Sequence, residues 1–230
     1  MVDVPEIVIY GASGHANAYR CIMAEQHLAH VAAFIDDFRG DQGHRLAGKP
    51  VISLQTWRSE FPTHACLIAI GDPTAKRRIA ERVAAAGGVF YDPHGSSVRG
   101  FVDVTIGMGS LVVRPIYIGP NTKMGAHVAI MPMSTIGHDV EIGDFCTICP
   151  GANIGGQVVL ESGVFVGAGA VIVNGSVDRP LTVGKGATVA AGAVVTKAIM
   201  PGVTVMGNPA RPLRELAAQD KLPPRARRRP

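Results

Sequence analysis

Residues 124–156, MGAHVAIMPMSTIGHDVEIGDFCTICPGANIGG, carry a bulky apolar residue at every sixth position: Met124, Ile130, Ile136, Ile142, Ile148 and Ile154. Glycine follows four of them, at 125, 137, 143 and 155. The period runs back through Ile118, Val112 and Ile106 and forward through Leu160, Val166 and Ile172, with further glycines at 107, 119 and 167. The fifth member of each hexad is mostly small or β-branched, as in Ser110, Thr122, Val128, Ser134, Cys146, Ala152 and Ala170. An α-helix cannot keep every sixth residue on one face, and a flat strand does not demand glycine after each apolar residue. The arrangement that satisfies both is one short strand per hexad, a tight turn at each glycine, and three hexads closing a triangular coil. Stacked coils then form a parallel β-helix, with the large and small positions buried inside. The next in-phase position after Ile172 is Asp178, and the apolar series resumes only at Val183, Val189 and Val195. Residues 174–180 are therefore expected to bulge out as a loop. Gly207-Asn208-Pro209-Ala210-Arg211 is read as the close of the solenoid and Leu213 to Gln219 as a short helix.

The first ninety residues obey a different rule, with short apolar runs alternating with helical stretches, the pattern of an α/β domain. Strands are expected at Ile7 to Tyr10, Val31 to Ile35 and Ala65 to Ile70, and helices at His15 to His27 and Thr74 to Ala86. The last helix is read with a Thr74 cap, Lys76, Arg77 and Arg78 on its exposed side, and Gly87-Gly88 as its stop. The chain thus divides into a Rossmann-like domain over 1–95, a β-helix over 96–212, and a helix with a basic tail over 213–230.

With 230 residues, 47% hydrophobic and 17% charged, the chain can bury a sizeable core and is not a disordered sequence. Its charge of +4 is accounted for by Arg225, Arg227, Arg228 and Arg229 of the terminal PPRARRRP. The body is therefore neutral, which argues against general nucleic-acid binding. Apolar stretches such as Ser162 to Val177 are broken by glycine and too short for a membrane span. Asp3 and Glu6 precede the first apolar run where a secretory signal would carry basic residues, so a cytoplasmic location is expected. Four scattered cysteines fit a reducing compartment rather than a disulfide framework.

Gly11-Ala12-Ser13-Gly14-His15 falls between a strand and a helix, where free backbone N–H groups and the helix dipole suit a diphosphate. A glycine turn there can equally be structural; Asp36-Asp37 at the end of the next strand favour a nucleotide, since carboxylates at that place accept hydrogen bonds from ribose or base. Cys146-Thr-Ile-Cys149 lacks a second pair, and Cys146 falls on the small inward position, so zinc is not expected. A three-histidine site would need His-x4-His spacing, but Met133 and Gly143 flank His138 at five residues and His127 stands alone. No metal is expected.

Taken together, IVIYGASGHA at 7–16, AFIDDFRG at 33–40, LIAIGD at 67–72, IGHDVEIGDF at 136–145 and GNPAR at 207–211 resemble the bacterial nucleotide-sugar acetyltransferases, over nearly the whole chain. These include the bacillosamine and perosamine N-acetyltransferases and the sialic-acid O-acetyltransferases. The resemblance implies a left-handed β-helix, a homotrimer with active sites between subunits, and acetyl-CoA as co-substrate. It implies that Ser13, Gly14, His15, Asp36, Asp37 and Gly71 hold the nucleotide-sugar. It makes His138 the catalytic base, Asp139 the residue that orients it (many relatives carry Glu there), and the N–H of Gly156 the oxyanion donor. Imidazole, which ordinarily titrates near pH 6.5, suits a proton transfer from amine to thiolate. Thr147 stands where some relatives place a second histidine against acetyl-CoA. Ala168 and Ala191 match positions along the pantetheine arm, with Lys185, Lys197 and Arg211 as candidates for the CoA phosphates. The implied activity is N-acetylation of a UDP- or GDP-linked 4-amino-4,6-dideoxy sugar; the rivals are sugar O-acetylation and a non-catalytic nucleotide-sugar-binding trimer.

Overall fold

A computed structural model describes residues 4–94 and 101–219. The expected domain boundary at 95/96 and the terminal arginine cluster lie outside the described residues.

The first domain is built on a five-stranded sheet in the order β3-β4-β2-β1-β5, with β1 at Glu6–Tyr10, β2 at His30–Ile35, β3 at Arg45–Leu46, β4 at Lys49–Ile52 and β5 at Ala65–Ile68. All pairings are parallel except the β3–β4 hairpin, which the periodicity did not reveal. Successive side chains of a strand point to opposite faces. Ile7 and Ile9 of β1 accordingly join Tyr19 and Met23 of helix α1 (Gly14–Glu25), whereas Val8 and Tyr10 join Trp57 of α2 (Leu54–Glu60) and Val83 of α3 (Pro73–Ala85). Both layers continue into the second domain: Leu111, Val113 and Met131 complete the first, and Phe145 packs against the other. Helix α3 is capped by Asp72, whose carboxylate accepts from the Ala75 N–H at 2.7 Å, so Pro73 rather than Thr74 opens the helix.

The second domain is the β-helix. Its two- and three-residue strands pair in parallel at a spacing of three hexads, as in Ile118 with Ile136 and Ile136 with Ile154. They form three sheets, one of which holds Ala129–Ile130 and Thr147–Ile148, a second Thr135–Ile136 and Asn153–Ile154, and a third Lys123–Met124 and Glu141–Ile142. The apolar series from Val112 to Ile172 is at most 5% exposed. Leu160 pairs with Val183, five residues beyond the regular spacing, and the excess forms the expected bulge, closed by a bridge between Ser176 and Arg179. Residues 204–206 and 211–212 close the solenoid as an antiparallel pair, followed by α4 at Leu213–Gln219.

The repeating glycines need a different explanation from the one their spacing suggested. The left-handed backbone of the corners falls two residues later, at Asn121, His127, Met133, Asp139, Phe145 and Gln157, and at glycines such as Gly109, Gly151, Gly163 and Gly169 elsewhere. Gly137 is required by proximity: a Cβ there would lie 2.4 Å from the Gly156 nitrogen of the next coil. Glycine after the apolar residue lets the coils stack at strand-pairing distance, and the corner itself tolerates side chains.

Candidate active site

His138 follows Gly137 at one of these corners, and the three-hexad period stacks Pro120, His138, Gly156 and Asn174 in a column. Because the corner turns the chain outward, the His138 side chain is 58% exposed. Asp139 occupies the left-handed position (φ 54°), and its N–H donates to the Pro120 carbonyl at 2.9 Å. That conformation sends its carboxylate back to the preceding ring, with Oδ2 2.6 Å from His138 Nδ1. Asn121, one coil earlier and also left-handed (φ 58°), donates Nδ2–H to Asp139 Oδ1 at 3.1 Å. The His138 hydrogen bond, followed by that of Asn121, holds the Asp139 carboxyl below the usual carboxylate range. An ionised carboxylate only accepts, so Nδ1 carries a proton, which makes Nε2 the lone-pair nitrogen of the neutral ring.

Nε2 faces Gly156, where a Cβ would sit 2.8 Å from it. Only glycine leaves this approach open. The Gly156 N–H donates to Asn174 Oδ1 at 3.1 Å, so Asn174 must turn aside before that amide can meet another acceptor. Asn121 and Asn174 are the residues that sequence reasoning missed at this corner. The signal was present in the three-hexad interval: Asn121 lies one coil from Asp139, and Asn174 one coil from Gly156. A groove of about 490 Å³ opens beside the pair, lined by Asp103, Asn121, Lys123, Asp139, Glu141 and Gln157 among others.

The six residues expected to hold the nucleotide follow the carboxyl ends of three adjacent parallel strands: Ser13, Gly14 and His15 after β1, Asp36 and Asp37 after β2, and Gly71 after β5. This is the edge at which open α/β sheets bind ligands. Ser13 caps α1 without a side-chain hydrogen bond, and the space around Gly14 is open. His15 is half-buried against Tyr19, and burial together with the nearby Lys76 charge lowers its titration. The two aspartates are not equally available. Asp37 accepts two bonds from Arg82 (2.6 and 2.9 Å) and one from Tyr10 (2.7 Å), and the Arg82 contact holds it well below the ordinary carboxylate range. It is a structural tie between β2 and α3. Asp36 accepts from the Phe38 and Arg39 amides and from the Arg39 guanidinium, which also reaches the Ala12 carbonyl at 2.7 Å. Burial works to raise the Asp36 carboxyl, but these donors outweigh it and leave it lowered. Arg39 thus spans the glycine turn, a placement that the expectations did not include.

The acetyl-CoA expectations divide. Ala168 and Ala191 are exposed, on the corner that follows strands Phe165–Val166 and Thr188–Val189, whereas His138 and Gly156 are on the corner after Thr135–Ile136 and Asn153–Ile154. One chain does not bring the two sets together. Lys185 is exposed and lines a cleft of about 680 Å³ with Arg77, Lys123, Glu141 and Glu161. Lys197 and Arg211 are exposed as well. Thr147 must be corrected: it is only 4% exposed, and its hydroxyl donates to the Gly71 carbonyl at 2.8 Å and accepts from Lys76 Nζ at 2.9 Å. It belongs to the seam between the domains.

Lys76 corrects a second expectation. The helix turns it into the seam, 2% exposed, where Nζ also donates to the His127 and Cys146 carbonyls. Burial brings its titration down to about 8. Beside it His127, 7% exposed, stacks on Phe145 and meets the edge of Phe90, and burial, aided by the Lys76 charge, lowers it to about 4. A base with a depressed folded value binds fewer protons folded than unfolded, so its stabilising effect is lost as pH falls from about 6.5 towards 4. Unfolding in urea should therefore become easier over that window by up to about 3 kcal/mol. His127→Asn, which keeps a residue tolerant of left-handed φ, should start lower and decline less; an unchanged acid decline would assign it to other groups.

Among the described residues no cluster of three or more His, Cys, Asp or Glu could hold a metal ion. No helix among them is long and apolar enough to cross a membrane. Cys146 is fully buried, and burial raises its thiol to about 11, which suits a packing role.

Comparison with known proteins bears on both halves. Residues 6–83 match the PglD N-terminal domain, and residues 121–156 match the bacterial transferase hexapeptide (six repeats). The GDP-perosamine N-acetyltransferase of Escherichia coli O157:H7 is 33% identical over 190 residues, 80% of this chain and 83% of that protein. Among solved structures, WeeI from Acinetobacter baumannii AYE is 33% identical, with a TM-score of 0.68 over 90% of this chain and 100% of that one. The acetyltransferase domain of PglB from Neisseria gonorrhoeae FA1090, in complex with acetyl coenzyme A, is 29% identical, with a TM-score of 0.76 over 92% of this chain and 100% of that one. With its PglD-type α/β domain, its left-handed hexapeptide β-helix and this likeness along most of its length, the chain belongs to the acetyl-CoA-dependent N-acetyltransferases of nucleotide-linked amino sugars.

Proposed function

We propose that the protein transfers the acetyl group of acetyl-CoA to the amine of a UDP- or GDP-linked 4-amino-4,6-dideoxy sugar, in the cytoplasm, for surface polysaccharide or glycan synthesis. The observation that carries this reading is the His138–Asp139 pair, whose free Nε2 faces the one residue in the column without a side chain. The sugar amine attacks the thioester carbonyl, forming the C–N bond. Nε2 takes a proton from the amine nitrogen, the C–S bond breaks, and the imidazolium returns the proton to the CoA thiolate. The Gly156 N–H, released by Asn174, stabilises the oxyanion. Ser13, Gly14, His15 and Asp36, together with the backbone at Gly71, hold the nucleotide; Asp37 acts through Arg82. The GDP-perosamine relative favours an amine on a GDP-sugar.

The separation of the two corners supports a homotrimer, in which a neighbouring copy would bring its Ala168 and Ala191 up to His138. Tyr117 and Met133, 61% and 69% exposed, leave apolar surface for such a contact. Sedimentation at micromolar concentration should give three chains per particle, and a monomer would end the argument. Thiol release from acetyl-CoA in the presence of paired amino and hydroxy nucleotide-sugars tests the reaction. Turnover only with the amine is expected; turnover only with the hydroxyl means O-acetylation, and none with either means a binding protein.

A further inference from the structure

We infer that Asn121 is a positioning residue for the reaction: its carboxamide fixes the Asp139 carboxylate so that His138 presents Nε2, and not Nδ1, to the acceptor. The inference rests on the proposed role of His138. Asp139 is a partly exposed residue on a corner, and a carboxylate bonded through one oxygen alone can rotate away from the ring. Here both oxygens are engaged from different coils, Oδ2 by His138 of its own corner and Oδ1 by Asn121 of the coil before. The stacking fixes this geometry, since both residues occupy the left-handed position of successive coils on one column. The other charged groups beside Asp139 in the groove are Asp103, Lys123 and Glu141. Among the described residues the hydrogen bonds to its carboxylate come from His138 and Asn121.

Asparagine tolerates left-handed φ, so it could serve this corner for its backbone alone. Asn121→Gly separates the two roles, because glycine keeps the backbone and deletes the donor. For the positioning role, Asn121→Gly should lower kcat about tenfold, roughly the value of one hydrogen bond to a charged group, with both KM values near wild type. Nitrogen chemical shifts of His138 should move toward a mixture of the two neutral tautomers. Asn121→Asp also keeps the backbone but sets carboxylate against carboxylate. It should lower kcat further and move the acidic limb of the kcat/KM profile to higher pH, because an added negative charge stabilises the imidazolium. His138→Ala, measured alongside, separates the two hypotheses. If it is inactive while Asn121→Gly keeps wild-type kcat and tautomer, the positioning inference is overturned and the base assignment stands. If His138→Ala is fully active, the base assignment itself has failed.

Discussion

His138→Ala is expected to lose about 10²–10⁴ in kcat, the range that general base catalysis commonly supplies, with KM values and folding little changed. The folding expectation follows from position: the side chain is 58% exposed and lies outside the apolar stack. The inactivity expectation follows from geometry, since Nε2 is held over Gly156 by a 2.6 Å bond from the other side of the ring. Asp139→Asn should cost less and shift the acidic limb of the kcat/KM profile to lower pH, because the imidazolium loses its neighbouring charge. The measurement is initial-rate thiol release against pH, on variants shown to keep the wild-type assembly. A His138→Ala enzyme with wild-type kcat across the pH range places the base elsewhere.

How far such a corner could be read in advance depended on what the repeat encodes. A period of six reports which residues face inward, so Ile136 and Cys146 were legible as core, and the shift between Leu160 and Val183 was legible as a bulge. The same period, counted three at a time, also reports which exposed residues stack, and this brings Asn121 to Asp139 and Asn174 to Gly156. The repeating glycines were seen, but their cause was not, because a close approach between coils involves a residue one full turn away. In the first domain the strand ends at Tyr10, Ile35 and Ile68 mark the one edge where the proposed nucleotide residues gather. What sequence left open there was the set of partners: Arg82 reaches Asp37 from 45 residues away, and no local pattern signals it. Lys76 and Thr147 failed for the same reason. A lysine among basic neighbours on a helix reads as solvated, and a threonine in a hexad reads as an ordinary coil position. Each is buried only because the other domain lies against it.

That burial makes the seam the place where a single substitution should cost most stability. Lys76→Ala removes a long side chain from a fully packed site and takes the donor from the His127 carbonyl, so a loss of about 2–4 kcal/mol in urea unfolding at neutral pH is expected. Lys76→Met refills most of the volume and should cost less, which isolates the contribution of the charge. With its titration lowered from 10.5 to about 8, Lys76 binds fewer protons in the folded chain than in the unfolded one between those values. Its contribution to stability therefore rises as pH increases from about 8 to 10.5, by roughly 3 kcal/mol if the whole shift is realised. Wild type should gain on Lys76→Met as pH is raised from 7.5 to 9.5, and parallel pH curves would mean that the ammonium is not buried as described. The consequence should reach function through Thr147, whose hydroxyl joins Lys76 to the Gly71 carbonyl at the edge proposed to hold the nucleotide. Lys76→Met should accordingly raise KM for the nucleotide-sugar more than KM for acetyl-CoA and leave kcat nearly unchanged, because the corner carrying His138 belongs to a different sheet of the solenoid.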